Sequence, residues 1–152
     1  MKSYTVRTGH HRFRPVHFFD LCRKRVDYFV IFRHDCEYNN GQDDWNKLMG
    51  VSSWRIHHTS YRFGWRYRDG KIELNAYWYE DGQRFYTDTL TYAQFDLPVR
   101  LCIRQEGNKI VWRIDRRKVH EIIGRMPWLT FQTGIYFGGD QPAPHNMTID
   151  VI

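Results

Sequence analysis

Between Ser60 and Tyr86, apolar and polar side chains alternate in three runs separated by two Asp-Gly pairs, Asp69-Gly70 and Asp81-Gly82. Asp-Gly between alternating runs predicts a β-hairpin, because a type I′ turn needs positive φ at both central residues. Centring the first turn on Asp69-Gly70 pairs Tyr67 with Ile72, Trp65 with Leu74, Phe63 with Ala76 and Tyr61 with Trp78. Directly opposed residues share a face, so these eight line one apolar surface. The other face pairs Arg66 with Glu73, Gly64 with Asn75 and Arg62 with Tyr77. The second turn adds Phe85 beside Trp78, Tyr86 beside Tyr77 and Arg84 beside Tyr79. A slip of one residue would turn every aromatic of the apolar set toward water, which pins the register.

The rest of the chain reads the same way. Ser3 to Arg7 alternates weakly, as an edge strand does, and Pro15 confines Arg12 to Phe19 to an edge or irregular strand. Val26 to His34 is β-branched and aromatic on both faces, as in a central strand. Glu37 to Asp44 is turn-rich. Asp44 is placed to N-cap a single helical turn through Leu48 that ends at Gly50, and Val51 to His58 follows as a strand. Thr87 to Tyr92 continues outward from the second hairpin. Gly107-Asn108 turns Val99–Gln105 back into Lys109–Ile114, pairing Leu101 with Ile114, Ile103 with Trp112 and Gln105 with Ile110. Val119 to Ile123, Thr133 to Gly138 and Met147 to Ile152 complete about ten short strands. Such spacing predicts an all-β sandwich or barrel with little helix.

Composition narrows this further. A length of 152 residues suits a single domain, 1–152, and the 17% aromatic content supplies large rings to its core. The net charge of +6 is concentrated early in the chain and admits an acidic partner. Three cysteines, an odd number with no CxxC spacing, form neither a disulfide framework nor a zinc site. The first residues lack the apolar core of a signal peptide, and no run is long enough to span a membrane. The expectation is synthesis in a reducing cytoplasm, with no membrane association, cofactor or metal.

Candidate chemistry centres on the polar face of the meander. Arg62, Arg66, Asn75, Tyr77 and Tyr79 combine planar hydrogen-bond donors with rings that can stack on a sugar, and they are the expected ligand-binding residues. A solvated face with a cross-strand Arg66–Glu73 pair is the plain structural alternative. His57 and His58 cannot chelate one metal from a regular strand, since neighbours point to opposite faces. One of them can serve as a general base. His10 and His11 read as mobile terminus. Gly138-Gly139 lacks the Lys-Ser/Thr of a phosphate loop and reads as a bend. Arg66 opposite Glu73 lowers that carboxyl's pKa, which argues against Glu73 as a catalytic acid.

Residues 44–50 (DWNKLMG), 57–66 (HHTSYRFGWR) and 136–146 (YFGGDQPAPHN) resemble a family of small β-sandwich proteins from Bacteroidetes bacteria and the bacteriophages that infect them. The wider layout resembles the concanavalin A-like jelly rolls, including the family-seven alginate lyases, which implies an antiparallel jelly-roll sandwich. Arg55-Ile56-His57 is similar to the Gln-Ile-His strand of those lyases, and Tyr136-Phe137 to the start of their Tyr-Phe-Lys-Ala-Gly strand. Glycine replaces that lysine, Pro142 stands where a second tyrosine is expected, and their Arg-x-Glu-Leu-Arg strand has no counterpart. The resemblance thus implies His57, Arg55 and Tyr136 as catalytic candidates if the chain is a lyase. The leading expectation is a non-enzymatic module that contacts a glycan or a neighbouring structural protein, in the setting of a virion decoration, tail or appendage. The alternative is a polysaccharide lyase acting on a uronic polymer. Single-stranded nucleic-acid binding is disfavoured by the acidic residues of the later half.

Overall fold

Both Asp-Gly pairs make the expected turns. Asp69 and Asp81 have φ of 51° and 49°, and Gly70 and Gly82 of 77° and 78°, the double left-handed conformation of a type I′ turn. The computed structural model describes residues 1–15 and 18–152. Among these, the strands in chain order are β1 (Lys2–Val6), β2 (Phe18–Cys22), β3 (Arg25–Phe32), β4 (Asn46–Ser52), β5 (Ser60–Arg68), β6 (Lys71–Glu80), β7 (Gln83–Tyr86), β8 (Thr91–Ala93), β9 (Val99–Glu106), β10 (Lys109–Ile114), β11 (Arg117–Ile123), β12 (Thr130–Thr133) and β13 (Met147–Val151). They build two antiparallel sheets. The first runs β1-β13-β3-β9-β10-β11 and the second β2-β12-β4-β5-β6-β7, with β8 also pairing β6.

Every pairing read from the turns is present: Tyr67–Ile72 through Tyr61–Trp78, Arg66–Glu73 and Arg62–Tyr77, Trp78–Phe85 and Tyr79–Arg84, and Leu101–Ile114, Ile103–Trp112 and Gln105–Ile110. The apolar face of β5 and β6 therefore turns inward. Tyr61, Phe63, Trp65, Leu74 and Trp78 meet Phe32, Leu101, Ile103, Trp112 and Ile149 of the first sheet. Each such side chain contributes roughly 1.5–3 kcal/mol on burial. Trp112 spans the two layers, since its Nε1 donates to the Arg62 carbonyl at 2.8 Å and its ring meets Tyr61 edge-on at 6.0 Å. β3 is central, between β13 and β9, and β1 is an edge, as the patterning implied.

Several expectations need correction. Residues 44–50 hold no helical turn; β4 occupies most of the stretch and is buried throughout. A bulge between Lys47 and Gly50 breaks the period-two alternation there, which made a strand read as helical. β4 ends at Ser52, and 53–59 is a closed turn in which Ser53 N donates to Thr59 O and His58 N to Arg55 O, both at 2.9 Å. The strand expected from Thr133 to Gly138 is displaced: β12 ends at Thr133, after which Tyr136 alone makes isolated bridges to Arg12 and Lys47. Thr87 to Tyr92 does not extend the second hairpin outward but returns to β6 as β8. The expected edge segment Arg12 to Phe19 contributes bridges at Arg12 and Arg14, and its residues 16 and 17 lie outside the described residues.

Candidate ligand-binding cleft

The polar face of β5 and β6 is closed at one end and open at the other. At the closed end, Arg66 lies on the Trp45 ring at 4.1 Å. It donates to Glu73 at 2.6 Å and to the Asp43 side chain at 3.0 Å. Burial would raise the Glu73 pKa, but the hydrogen bond and charge of Arg66 hold it below the ordinary value. Asn75 is fully buried, and its Nδ2 donates to the Thr87 carbonyl at 2.8 Å. The loop bearing Trp45 and the return to β8 thus take Arg66 and Asn75 out of reach of a ligand.

The open end is a cleft of about 400 Å³, within the size range of small-ligand sites. Its floor is Ser60 and Arg62 of β5 with their cross-strand partners Tyr79 and Tyr77 of β6. Lys47 of β4 and Arg84 of β7 flank the floor. The turn 53–59 contributes His57, whose ring stands edge-on to Tyr79 at 5.5 Å. The opposite rim is Tyr136, Gly138 and Gly139. Tyr136 is backed by His11, whose ring stacks on it at 5.4 Å and whose Nδ1 donates to the Phe137 carbonyl at 2.9 Å. His11 is therefore a half-buried support rather than a mobile terminus. Of the expected residues, Arg62, Tyr77, Tyr79, His57 and Tyr136 converge on this cleft. Arg55 does not: it turns away, over the Trp54 ring at 4.5 Å.

Arg62 is the unusual group. It is 7% exposed, and its guanidinium donates from Nε to the Leu48 carbonyl at 2.9 Å and from a terminal nitrogen to the Gly134 carbonyl. No carboxylate pairs with it among the described residues. Burial lowers its pKa to about 10. Lys47 sits beside it, donating to the Gly138 carbonyl at 3.1 Å and lying over the Tyr77 ring at 5.1 Å. Burial lowers the Lys47 pKa to about 8, against the opposing charge of Asp44 at 3.7 Å. Tyr77 is nearly fully buried, and burial raises its phenol pKa. Ser60 Oγ is buried without a hydrogen-bond partner among the described residues, and it belongs to a residue lining the cleft. Four basic side chains, Arg12, Lys47, Arg62 and Arg84, face two carboxylates, Asp44 and Asp140.

Two glycines and an asparagine keep this arrangement in place. A Cβ at Gly50 would lie 2.2 Å from the Tyr61 carbonyl oxygen and 2.7 Å from Arg62 Cγ, so only glycine lets the Arg62 side chain cross β4. Gly138 has a φ of 73°. Its amide donates to Oδ1 of the fully buried Asn46, which fastens the rim to β4. Gly50→Ala is expected to lower stability by about 3 kcal/mol, the upper end of overpacking, and so to lower Tm by about 6–12 °C. It should also dislodge Arg62. Thermal denaturation checks the first effect; an unchanged Tm would mean that β4 moves aside freely.

Lys47, Asp44, Ser60 and Arg84 line the cleft without having been expected there. Arg84 was legible as the cross-strand neighbour of Tyr79, and Ser60 by the same alternation. Lys47 was not, because a buried lysine has no sequence signature. Among the described residues there is no group of three His, Cys, Asp or Glu side chains that could hold a metal ion.

No protein-family model matches the chain, and no curated protein matches it. Solved structures do. A functionally unknown protein from Saccharomyces cerevisiae superposes with a TM-score of 0.58 at 13% identity, over 99% of this chain and 87% of the other. The alginate lyase AlyC3 in complex with dimannuronate superposes with a TM-score of 0.60 at 9% identity, over 98% and 71%. The alginate lyase from Corynebacterium sp. gives 0.54 at 10% identity; this chain covers 99% of itself but only 59% of that enzyme. At such identities the likeness establishes the fold, a concanavalin A-like jelly-roll sandwich.

Proposed function

We propose that the cleft binds an acidic glycan, with a uronate carboxylate against Arg62 and Lys47 and the sugar rings against Tyr77, Tyr79 and Tyr136. The observation that carries this reading is the buried Arg62 guanidinium, which has no counter-ion among the described residues. A buried charge is costly unless paired, and a bound carboxylate supplies the pair that no described residue of the chain provides. The planar guanidinium fork suits a carboxylate. Tyrosine rings offer an apolar face and a polar tip, which suits the two kinds of surface on a sugar. The unpartnered Ser60 hydroxyl adds a further group for a ligand to satisfy. The alginate lyase that shares this fold is described in complex with dimannuronate, an acidic sugar, which supports the same ligand class here.

Affinity electrophoresis through gels cast with a polyuronate or a neutral polysaccharide tests the proposal. Retardation is expected in the polyuronate alone. Equal mobility in both would remove the glycan and leave docking on a structural protein. The resemblance of residues 44–50, 57–66 and 136–146 to small sandwiches of Bacteroidetes bacteria and their phages is the ground for a virion appendage as the setting for either partner.

Lys47 makes the interaction pH-dependent. Its folded pKa of about 8 lies below its ordinary value of 10.5, so the folded chain sheds this proton before the unfolded chain does. Stability therefore rises with pH between about 8 and 10.5 and is lower by the full burial penalty below 8. Affinity for a polyanion changes in the opposite sense, weakening as pH rises through about 8. Titration calorimetry at pH 6.5 and 9.5 should show this fall in the wild type and a flat profile in Lys47→Met. A fall of the same size in both proteins would exclude Lys47 as its source.

A second reading, a uronate lyase, rests on the convergence of His57 and Tyr136 with Arg62 in one cleft. There His57 would take the sugar's acidic carbon-bound proton while Arg62 neutralises the carboxylate, and Tyr136 would protonate the departing oxygen. It predicts unsaturated sugar ends, seen by ultraviolet absorbance, and their loss in His57→Ala. Binding without any such product leaves the module non-enzymatic.

A further inference from the structure

The outer face of the first sheet carries an arginine cluster that the cleft does not use. Its centre is Cys102 of β9, a small side chain only 6% exposed. Arg100 and Arg104 lie two residues away on the same strand and hence on the same face. Asp27 of β3 and Arg113 of β10 stand directly opposite Cys102 on its two sides. Arg25, opposite Arg104, and Arg116, in the β10–β11 turn, complete a depression of about 220 Å³.

Two carboxylates serve four of these guanidiniums. Asp27 accepts from Arg100 Nε at 2.9 Å and from its terminal nitrogen at 2.8 Å, and it is shared with Arg25. Glu106 accepts from Arg104 at 2.6 Å and from Arg113 at 3.1 Å. Arg116 has no carboxylate partner among the described residues. A solvated charge lattice pairs its charges about one to one. This one holds five guanidiniums against Asp27 and Glu106, with Asp115 bound to the Arg100 amide at its edge, and of the five N–H donors on each guanidinium only Arg113 places three on protein acceptors.

We propose that this depression binds a tetrahedral oxyanion, a phosphate or sulfate group, seated over the Cys102 side chain between Arg100, Arg104, Arg113 and Arg116. A planar carboxylate is filled by a single guanidinium fork. A tetrahedral anion offers oxygens in several directions, as donors arriving from both neighbouring strands and along β9 require. The thiol adds no negative charge, because burial and the nearby Asp27 raise the Cys102 pKa and keep the sulfur neutral, and the lining carboxylate of Asp27 is itself held by Arg100 and Arg25. The site is on the opposite sheet from the cleft and does not depend on the glycan reading.

Titration with sodium phosphate and, separately, sodium sulfate, followed through the arginine Nε–Hε resonances, tests this. Sodium chloride at matched ionic strength is the control. Saturable shifts are expected at Arg100, Arg104, Arg113 and Arg116 but not at Arg62, and the two anion arms show which group is preferred. Arg104→Gln and Arg116→Gln should each weaken binding about tenfold, the loss of one charge-assisted hydrogen bond. Arg116→Gln leaves both shared carboxylates undisturbed, so its effect cannot come from a disrupted lattice. Non-saturating shifts, shifts equal to those in chloride, or wild-type affinity in both variants would overturn the proposal.

Discussion

Arg62→Met is expected to abolish polyuronate binding while leaving the sandwich folded. In a desolvated site, truncating one partner of a hydrogen-bonded charge pair costs about 2–5 kcal/mol, or between about 30-fold and several thousandfold in Kd. The effect on stability is expected to be small, because two contributions oppose each other. The Leu48 and Gly134 carbonyls lose a donor, at about 1–3 kcal/mol for each buried group left unsatisfied. Against this, the variant no longer buries an unpaired cation, and exchanging buried charges for apolar side chains of similar volume is often neutral or stabilising. Arg62→Lys separates charge from shape: a point charge without the planar fork should bind with intermediate affinity. Calorimetric titration with an oligouronate reads all three proteins. Wild-type affinity in Arg62→Met would sink the site assignment, and glycan binding would have to be sought elsewhere.

Ending the chain at Asn146 is expected to abolish folding. β13 lies between β1 and β3, pairing Lys2–Val6 on one side and Val30–Phe32 on the other. Its removal opens two hydrogen-bonded edges at once in the middle of a layer. It also removes Met147 and Ile149, both fully buried, at roughly 1.5–3 kcal/mol each. The Arg33 guanidinium loses Asp150, its buried partner at 2.8 Å. The combined loss is comparable to the about 5–15 kcal/mol by which a domain is stable. A finer probe is Ile149→Ala, expected to cost about 2–5 kcal/mol and to leave a folded chain with a lowered Tm. Circular dichroism and thermal melts distinguish the two. A cooperative melt of the truncated chain near the wild-type Tm would mean that β1 closes directly onto β3.

The meander shows why part of the site was legible. Tyr77, Tyr79, Arg62 and Arg84 share a face because two Asp-Gly turns set two registers, and a turn is chemistry between adjacent residues. The same logic fixed Leu101 against Ile114 through Gly107-Asn108. β4 lacked any such anchor. Its residues are buried on both sides, so no alternation of apolar and polar side chains survives to report the period, and the bulge near Lys47 removes what remained. The rim residues His57 and Tyr136 were candidates by chemistry and resemblance, but no periodicity placed them on the cleft. Tyr136 and His57 sit on irregular segments whose course follows from partners far along the chain, Phe137 held by His11 and Gly138 held by Asn46.

What the sequence determined by itself was therefore local: the turns, the paired registers, the inward set of aromatics and the all-β class. Each depends on residues a few positions apart, whose φ preferences and side-chain spacing act before any distant segment arrives. What the tertiary structure alone decided was which part of the polar face stays open. Arg66 and Asn75 belong to the same face as Arg62 and Tyr77, and their sequence environment is no different. They are closed off because Trp45 and the 87–90 return fold over them. Arg62 lies beneath the cleft because Gly50 of a neighbouring strand leaves room for its side chain. Burial and the charge left unpaired beneath the cleft are properties of segments brought together across the chain, and no reading of neighbouring residues contains them.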